Sequence, residues 1–352
     1  MTKPKPDSSD IFRVLPRQAD QTIAAALREW LPGKSWSEVR RLLKSRQVTV
    51  NGNLCVEAGY RLRLVDVVKL LPHSLAPPAR EEDVRIRHLD KHIAVIEKPA
   101  GMTSTRHADQ RQLSPRQRQL QPTLDELLPR LIAKAEKGVK GVKGVKGVKG
   151  VKGVKGVKGV KGVKGGRRVR AVHRLDRETS GLMIFARTAE AEKHLGQQFR
   201  VHSIQRRYLA IVQGAVAAQT IESRLVRDRG DGRRGSTNLP NAGKHAVTHV
   251  RPIERLGDYT LVECRLETGR THQIRIHLAE NGHPLCGEKV YSQPLFRPGR
   301  PDPSGTPRLA LCAVELGFVH PVTGESMHFQ MPLSRDFAEF AERLRQAASA
   351  KK

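Results

Sequence analysis

Val172-His173-Arg174-Leu175-Asp176-Arg177-Glu178-Thr179-Ser180-Gly181 runs directly into the apolar segment Leu182-Met183-Ile184-Phe185. Polar and charged side chains of this density are expensive to carry into a core strand without partners. The stretch is therefore either a site or a tightly bonded turn at the mouth of a strand. A kinase catalytic loop also opens on His-Arg, but here the aspartate falls one residue too late. Neither a Gly-rich phosphate loop nor Asp-Phe-Gly accompanies it, which rejects that reading.

Outward from this stretch, strand-like runs dominate the C-terminal half: Leu182 to Phe185, Tyr208 to Val212, Ala246 to Arg251, Thr260 to Leu266 and Arg308 to Leu316. Helices are expected at Ala189 to Phe199, at His272 to Asn281 and from Asp336 onward. Upstream, a strand at His92 to Glu97 ends in Lys98-Pro99-Ala100-Gly101. Thr123 is placed to cap a helix that Pro129 should kink or delay. The pattern predicts an α+β fold whose large mixed or antiparallel sheet is flanked by helices, in a domain spanning residues 88–345.

A smaller α/β domain precedes it, over residues 20–72. Ile23, Ala26, Leu27 and Trp30 recur at helical spacing, and Pro32-Gly33 breaks the helix. Ser35 and Glu38 form an S-x-x-E capping box opening a second helix, whose apolar residues are Val39, Leu42 and Leu43 and whose basic ones are Arg40, Arg41 and Lys44. Val48-Thr49-Val50-Asn51-Gly52-Asn53 then reads as a tight hairpin, because Asn-Gly tolerates the positive φ angles it needs. A closing strand is expected at Leu62 to Leu70. Residues 1–19 read as a flexible N-terminus and 73–87 as a linker.

Two segments break the globular pattern. Residues 106–121 are rich in arginine and glutamine, without apolar period, and read as a loop. Nine copies of Gly-Val-Lys follow from Gly138 to Lys164. Glycine at every third position suggests collagen, but there is no proline, and one lysine per triplet would repel in a triple helix. A flexible basic insert at 138–166 is the better reading, since valine alone cannot offset the ordering entropy of so much glycine. An RNA-gripping role and a tolerated repeat expansion both remain open for it.

Lysine and arginine number 64 against 35 acidic residues, a net charge of +29 that remains +20 without the nine repeat lysines. Such a surplus favours a polyanionic partner, because each neutralised phosphate releases condensed counterions. No stretch approaches the roughly 18 apolar residues of a spanning helix, and the opening MTKPKPDSSD lacks a signal peptide's apolar centre. A cytoplasmic monomer without membrane contact is expected. Cys55, Cys264, Cys286 and Cys312 show no C-x-x-C pairing and read as packing residues.

His173-Arg174-Leu175-Asp176-Arg177-Glu178-Thr179-Ser180-Gly181 resembles the H-R-L-D-x-x-T-S-G signature of the RluA family of pseudouridine synthases. Further family-like segments follow in order, from Asp90–Gly101 through Arg207–Gly214 and Gly243–Thr248 to Thr268–His277, Gly282-His283-Pro284 and Gly287-Glu288. The front domain is similar to the RNA-binding domain named after ribosomal protein S-four, although Val65-Asp66-Val67 replaces the usual Gly-Asp turn. Glu288 stands for the family's aspartate, and Cys312 for a common histidine.

The resemblance implies an RNA isomerase, with Asp176 as essential carboxylate, Tyr208 lying on the flipped uracil and Arg275 pairing with Asp176. It also implies RNA contacts from Arg174, which fills the vacated stack, and from Arg270 and His272. In the front domain the same role falls to Arg40, Arg41 and Lys44. No cofactor is implied, and no metal: His272 and His277 are five residues apart, on different faces of a helix. A separate RNA-binding domain favours ribosomal RNA of the large subunit over tRNA. A non-catalytic ribosome-assembly factor is the alternative, disfavoured because Asp176, Tyr208 and Arg275 are all present.

Overall fold

The computed structural model of the chain describes residues 11–50, 53–64, 66–71, 79–106, 122–138, 169–230, 233–292, 302–306 and 308–350. The chain divides into two compact units, Met1–Pro78 and Ala79–Lys352. The Asn51-Gly52 turn, residue 65, residues 73–78 of the expected linker, the loop at 107–121 and the Gly-Val-Lys insert from 139 onward lie outside the described residues. The rest of that linker is structured and belongs to the second unit, with a 3-10 turn at Glu81–Asp83 and a strand that begins at Arg85.

The first unit runs β1 (Ile11–Arg13), α1 (Ile23–Trp30), α2 (Trp36–Lys44), β2 (Val48–Val50), β3 (Asn53–Leu54) and β4 (Val67–Leu70). The capping box forms as read: Ser35 Oγ accepts from Glu38 N, and the Glu38 carboxylate accepts from Ser35 N. Two N–H groups that no helical turn satisfies are thereby paired. Ile23, Ala26, Leu27, Val39 and Leu43 bury one stripe of each helix against Val48, Val50, Leu62 and Val68. The opposite face of α2 leaves Arg40, Arg41 and Lys44 exposed.

Two expectations are corrected in this unit. Flexibility through residue 19 does not hold, since β1 pairs antiparallel with β4 and gives a four-stranded sheet ordered β1-β4-β2-β3. Phe12 stacks on Trp30 at 4.9 Å and Val14 is buried, which anchors the strand. The closing strand also starts later than Leu62, because the Asp66 carboxylate accepts from Arg63 N and bends the chain there.

The second unit comprises β5 (Arg85–Leu89), β6 (Ile93–Lys98), α3 (Leu124–Gly138), β7 (Arg170–Ala171), β8 (Ser180–Ala186), α4 (Ala189–Arg200), β9 (Gln205–Gln213), β10 (Gln219–Val226), β11 (Gly235–Thr237), β12 (Lys244–Leu256), β13 (Tyr259–Leu266), α5 (Gln273–Glu280), β14 (Leu311–Val319), β15 (Ser326–Gln330) and α6 (Arg335–Ser349). Its sheet is ordered β11-β10-β12-β13-β9-β14-β8-β6-β5, with β15 on β14 and β7 on β8. Only β14 and β8 pair in parallel among the described strands, so the sheet is mixed. Gly181 permits that pairing: at φ +127° any Cβ would stand 2.2 Å from the Ala313 carbonyl oxygen.

Side-chain alternation sorts the sheet's two faces. Ala94, Ile96, Met183, Phe185, Tyr208, Ala210 and Val212 point to one face, where α3 and α5 cover them through Leu124, Leu128, Ile274 and Leu278. Ile93, Val95, Leu182 and Ile184 point to the other, against α4, while α6 covers Ile211 and Val314 on that side. α3 begins at Leu124 despite Pro129. A helical proline costs about 3 kcal/mol, but Leu124, Leu128 and Ile132 are all buried at i, i+4 and i+8. At roughly 1.5–3 kcal/mol each, their burial outweighs it.

Candidate active site

Asp176 sits on the loop entering β8, and both its neighbours are pinned. Ser104 Oγ accepts from Leu175 N at 3.1 Å and donates to Leu175 O at 2.6 Å. On the other side the Arg177 carbonyl accepts from Gly101 N at 2.8 Å and from Lys98 Nζ at 3.1 Å. Lys98 is 1% exposed, and its ammonium also donates to the carbonyls of Pro99 and Met102. Burial pushes its pKa down to about 7, against the pull of Glu178 and Asp176. Three carbonyls for three N–H donors nevertheless complement the protonated form. The turn Lys98–Ser104 thus clamps the backbone of the Asp176 loop at residues 175 and 177, leaving the Asp176 side chain, 19% exposed, to project between them.

It projects into a cavity of about 740 Å³ lined by Arg174, Asp176, Tyr208, Arg270, His272 and Arg275 among others. The structure thus brings together all the sequence-expected site residues of this unit. Tyr208 faces the cavity from β9, its register fixed against Cys264 and Ala313. Burial raises its phenol pKa, partly opposed by Arg206 and reinforced by the Asp176 charge, so the hydroxyl keeps its proton at neutral pH. Arg174 is exposed, and Arg270 is tethered through Nε to the His245 carbonyl at 2.9 Å.

The expected Arg275–Asp176 pair is present but differs in kind. Arg275 Nη1 lies 3.6 Å from Asp176 Oδ2, an ion pair too long for a hydrogen bond. Its fork is given instead to Glu288, with Nε donating at 2.8 Å and Nη2 at 2.7 Å. The reason is electrostatic: Glu288 is 4% exposed, and a buried carboxylate requires a counterion. Burial alone would raise the Glu288 pKa, but Arg275 and the N–H groups of Val290 and Tyr291 outweigh it and hold the carboxylate ionised. Asp176 therefore faces a cation without being tied up by it.

His272, expected on the RNA, stands with Nε2 at 3.7 Å from Asp176 Oδ1. Gln273, to which no role was assigned, is the hub of its loop: Oε1 accepts from Thr268 Oγ1 and Arg270 N, and Nε2 donates to the Val247 carbonyl and Thr248 Oγ1. Glu288 and Lys98 also escaped sequence reasoning as parts of the site. The signal available for both was their place in the family-like segments Asp90–Gly101 and Gly287-Glu288, which says nothing of their contacts. Among the described residues no group of three His, Cys, Asp or Glu side chains is arranged to hold a metal ion, and no helix is long and apolar enough to cross a membrane.

Two histidines nearby make the fold acid-sensitive. His173 Nε2 accepts from Ile184 N at 3.0 Å, and burial with help from Arg206 pushes its pKa down to about 3. His277 lies between Thr248 and Ser223, its pKa pushed by burial to about 4. Both refuse a proton that the unfolded chain accepts near 6.5. Stability present above pH 6.5 should therefore fall by about 1.4 kcal/mol per pH unit per histidine down to about pH 4. Urea denaturation at pH 7 and pH 5 measures it: a His277→Asn protein should show the shallower decline, and equal slopes would contradict the assignment.

The RNA pseudouridylate synthase family model matches residues 147–280, which include the Asp176 loop, Tyr208 and Arg275. The chain is 34% identical over 332 residues to an RNA pseudouridine synthase of Bacillus subtilis, covering 93% of each protein. It is 31% identical over 357 residues to ribosomal large subunit pseudouridine synthase D of Xanthomonas campestris, covering 97% of this chain and 94% of that one. The fold is shared with the solved structure of human RNA pseudouridylate synthase domain containing 4, at TM-score 0.52 and 24% identity over 74% of this chain and 92% of that one. Kinship along nearly the full length joins a carboxylate clamped at the mouth of an open cavity, and the chain belongs to the RNA pseudouridine synthase family of isomerases.

Proposed function

We propose that this protein isomerises uridines of large-subunit ribosomal RNA, with Asp176 as the catalytic carboxylate. The observation that carries the reading is the state of Asp176: backbone pinned on both sides, side chain open to the cavity, and a cation at 3.6 Å that offers charge without a hydrogen bond. Isomerisation breaks the N1–C1′ bond, forms C5–C1′, and moves a proton from C5 to N1, with no net redox change. Whether the carboxylate attacks carbon or abstracts a sugar proton, it must be ionised and unencumbered. Arg275 sets a positive charge 3.6 Å from the carboxylate, and the pinned loop leaves its side chain open to the cavity.

The uridine has to leave its stack to reach a carboxylate recessed in the cavity, at a cost of a few kcal/mol. A cavity of about 740 Å³ can receive it, within the usual range for ligand pockets. Tyr208 offers a ring beside Asp176, and exposed Arg174 a group to occupy the vacated stack. Ribosomal RNA is favoured over tRNA by the relatives named ribosomal large subunit pseudouridine synthase D. Incubation with large-subunit and tRNA transcripts followed by pseudouridine mapping tests this, and modification of tRNA alone would overturn it.

The first unit is proposed as an RNA-binding domain of the S-four type, on the strength of two capped helices over a small sheet and the exposed Arg40, Arg41 and Lys44. Changing all three to glutamate should weaken binding to structured RNA by about tenfold or more and flatten its salt dependence, because each lysine or arginine on a phosphate releases about one counterion. Filter binding at two salt concentrations measures it; unchanged affinity would count against the role.

A further inference from the structure

The segment Gly287–Tyr291 sends two side chains back toward Asp176, each behind a different neighbour of the carboxylate. Glu288 holds the Arg275 fork. Tyr291, 3% exposed, meets His272 Nδ1 through its hydroxyl at 2.6 Å, with the rings edge to face at 5.6 Å. The two arms are linked: Glu288 Oε1 also accepts from Val290 N and Tyr291 N, and the Arg275 guanidinium lies 5.2 Å over the Tyr291 ring. His272 itself sits in the left-handed region, at φ +60°. Such a backbone persists at a non-glycine residue only where surroundings over-determine it.

The hydrogen bond on one imidazole nitrogen decides what the other presents. Burial raises the Tyr291 phenol pKa to about 12, so the hydroxyl carries its proton. If it donates to Nδ1, the His272 proton must sit on Nε2, facing Asp176 Oδ1. The opposite tautomer would aim a lone pair at a carboxylate. Burial, followed by the nearby charges of Arg275 and Arg234, lowers the His272 pKa, while Asp176 and Glu288 raise it; the balance favours the neutral ring. The charged groups that weigh most on the imidazole come from the Asp176 loop, α5, the segment after it and Arg234, while Arg174, Arg206 and Arg270 line the same cavity.

We propose that His272 is a positioning residue for Asp176, locked by Tyr291 as the Nε2–H tautomer so that a neutral donor and the Arg275 cation flank the carboxylate from two sides. This rests on the reading of Asp176 as the catalytic group. The two arms have different tasks. Arg275 supplies charge on the Oδ2 side, and His272 supplies direction, aiming an N–H dipole at Oδ1 from 3.7 Å, too far for a hydrogen bond. A contact between His272 and RNA is not required for either.

Nitrogen-15 NMR of histidine-labelled protein reads the tautomer without any substitution: Nε2 of His272 should be protonated and Nδ1 bare at neutral pH. Tyr291→Phe keeps the ring over Arg275 and removes only the hydroxyl, so it should mix the tautomers and lower kcat about tenfold, the worth of one hydrogen bond, with KM unchanged. His272→Asn, which tolerates the left-handed backbone, should lower kcat further and again leave KM alone. Either a protonated Nδ1 in the wild type, or wild-type kcat in Tyr291→Phe, overturns the proposal. So does a raised KM at constant kcat in His272→Asn, which would make the histidine an RNA contact. An Asp176→Asn control separates the two levels: if it still turns over, the reading of Asp176 fails first, whereas an inactive control beside fully active Tyr291→Phe overturns the positioning role alone.

Discussion

Asp176→Asn protein is expected to fold and bind RNA like the wild type, yet to release no tritium from C5-labelled uridine in transcript RNA. The carboxamide keeps the side chain's shape but can neither attack carbon nor take a proton. The loop should not notice the change, because it is held through the backbone by Ser104, Lys98 and Gly101 and not through the carboxylate. Loss of a reacting group removes transition-state stabilisation without touching ground-state binding, so turnover should fall by many orders of magnitude while KM stays put. Turnover within a hundredfold of wild type would remove Asp176 from the chemistry and revive a binding protein without catalysis.

The second large effect lies at Arg275. Arg275→Met should abolish turnover and also destabilise the fold by roughly 3–5 kcal/mol, since it strands the Glu288 carboxylate in the interior. Arg275→Lys keeps a charge but cannot give two parallel N–H bonds to Glu288 while a third nitrogen faces Asp176, so a loss on the order of a hundredfold is expected. The informative protein is the double variant Arg275→Met with Glu288→Leu. Replacing a buried ion pair by apolar groups is often neutral for stability, so the fold should recover while the activity does not. Urea denaturation and single-turnover conversion, taken together as a double-mutant cycle, measure both. Full activity in the double variant would show that Asp176 needs no cation.

How much of this was legible in the sequence follows from where the partners lie along the chain. Asp176 stood out because it sits in a polar cluster that enters a core strand, whereas Tyr208 and Arg275 were picked out by the family resemblance of the runs Arg207–Gly214 and Thr268–His277. The strands β6, β8 and β9 were readable from their apolar runs, and β12 and β13 from β-branched and apolar residues interrupted by polar ones. Glu288 and Tyr291 were not, since what gives them meaning is a contact with residues 13 and 19 positions back across a turn. Nothing in local periodicity encodes such a contact. Lys98 looked like the polar end of a strand, and only the fold reveals three backbone carbonyls around its ammonium. β1 and β15 were missed because strands of three and five residues carry too little alternation. The parallel insertion of β14 between β9 and β8 is a long-range choice that no local pattern specifies.

Arg275 shows the same limit in a single side chain. Its family resemblance pointed to Asp176, and the geometry keeps that contact but at 3.6 Å, because the buried Glu288 competes for the fork at 2.7 and 2.8 Å. A single positive group thereby neutralises one carboxylate structurally and leaves the other chemically free. Sequence identifies the participants, and burial decides which of two acids receives the hydrogen bonds.

Asp176-dependent formation of pseudouridine in large-subunit ribosomal RNA is the reaction expected of this chain. Its most direct test maps pseudouridines, by carbodiimide adduct and primer extension, in ribosomal RNA from cells lacking the protein and from the same cells supplied with wild-type or Asp176→Asn protein. One or more large-subunit sites should disappear without the protein, return with the wild type and stay absent with Asp176→Asn. An unchanged map without the protein, or restoration of the missing sites by Asp176→Asn, would contradict it.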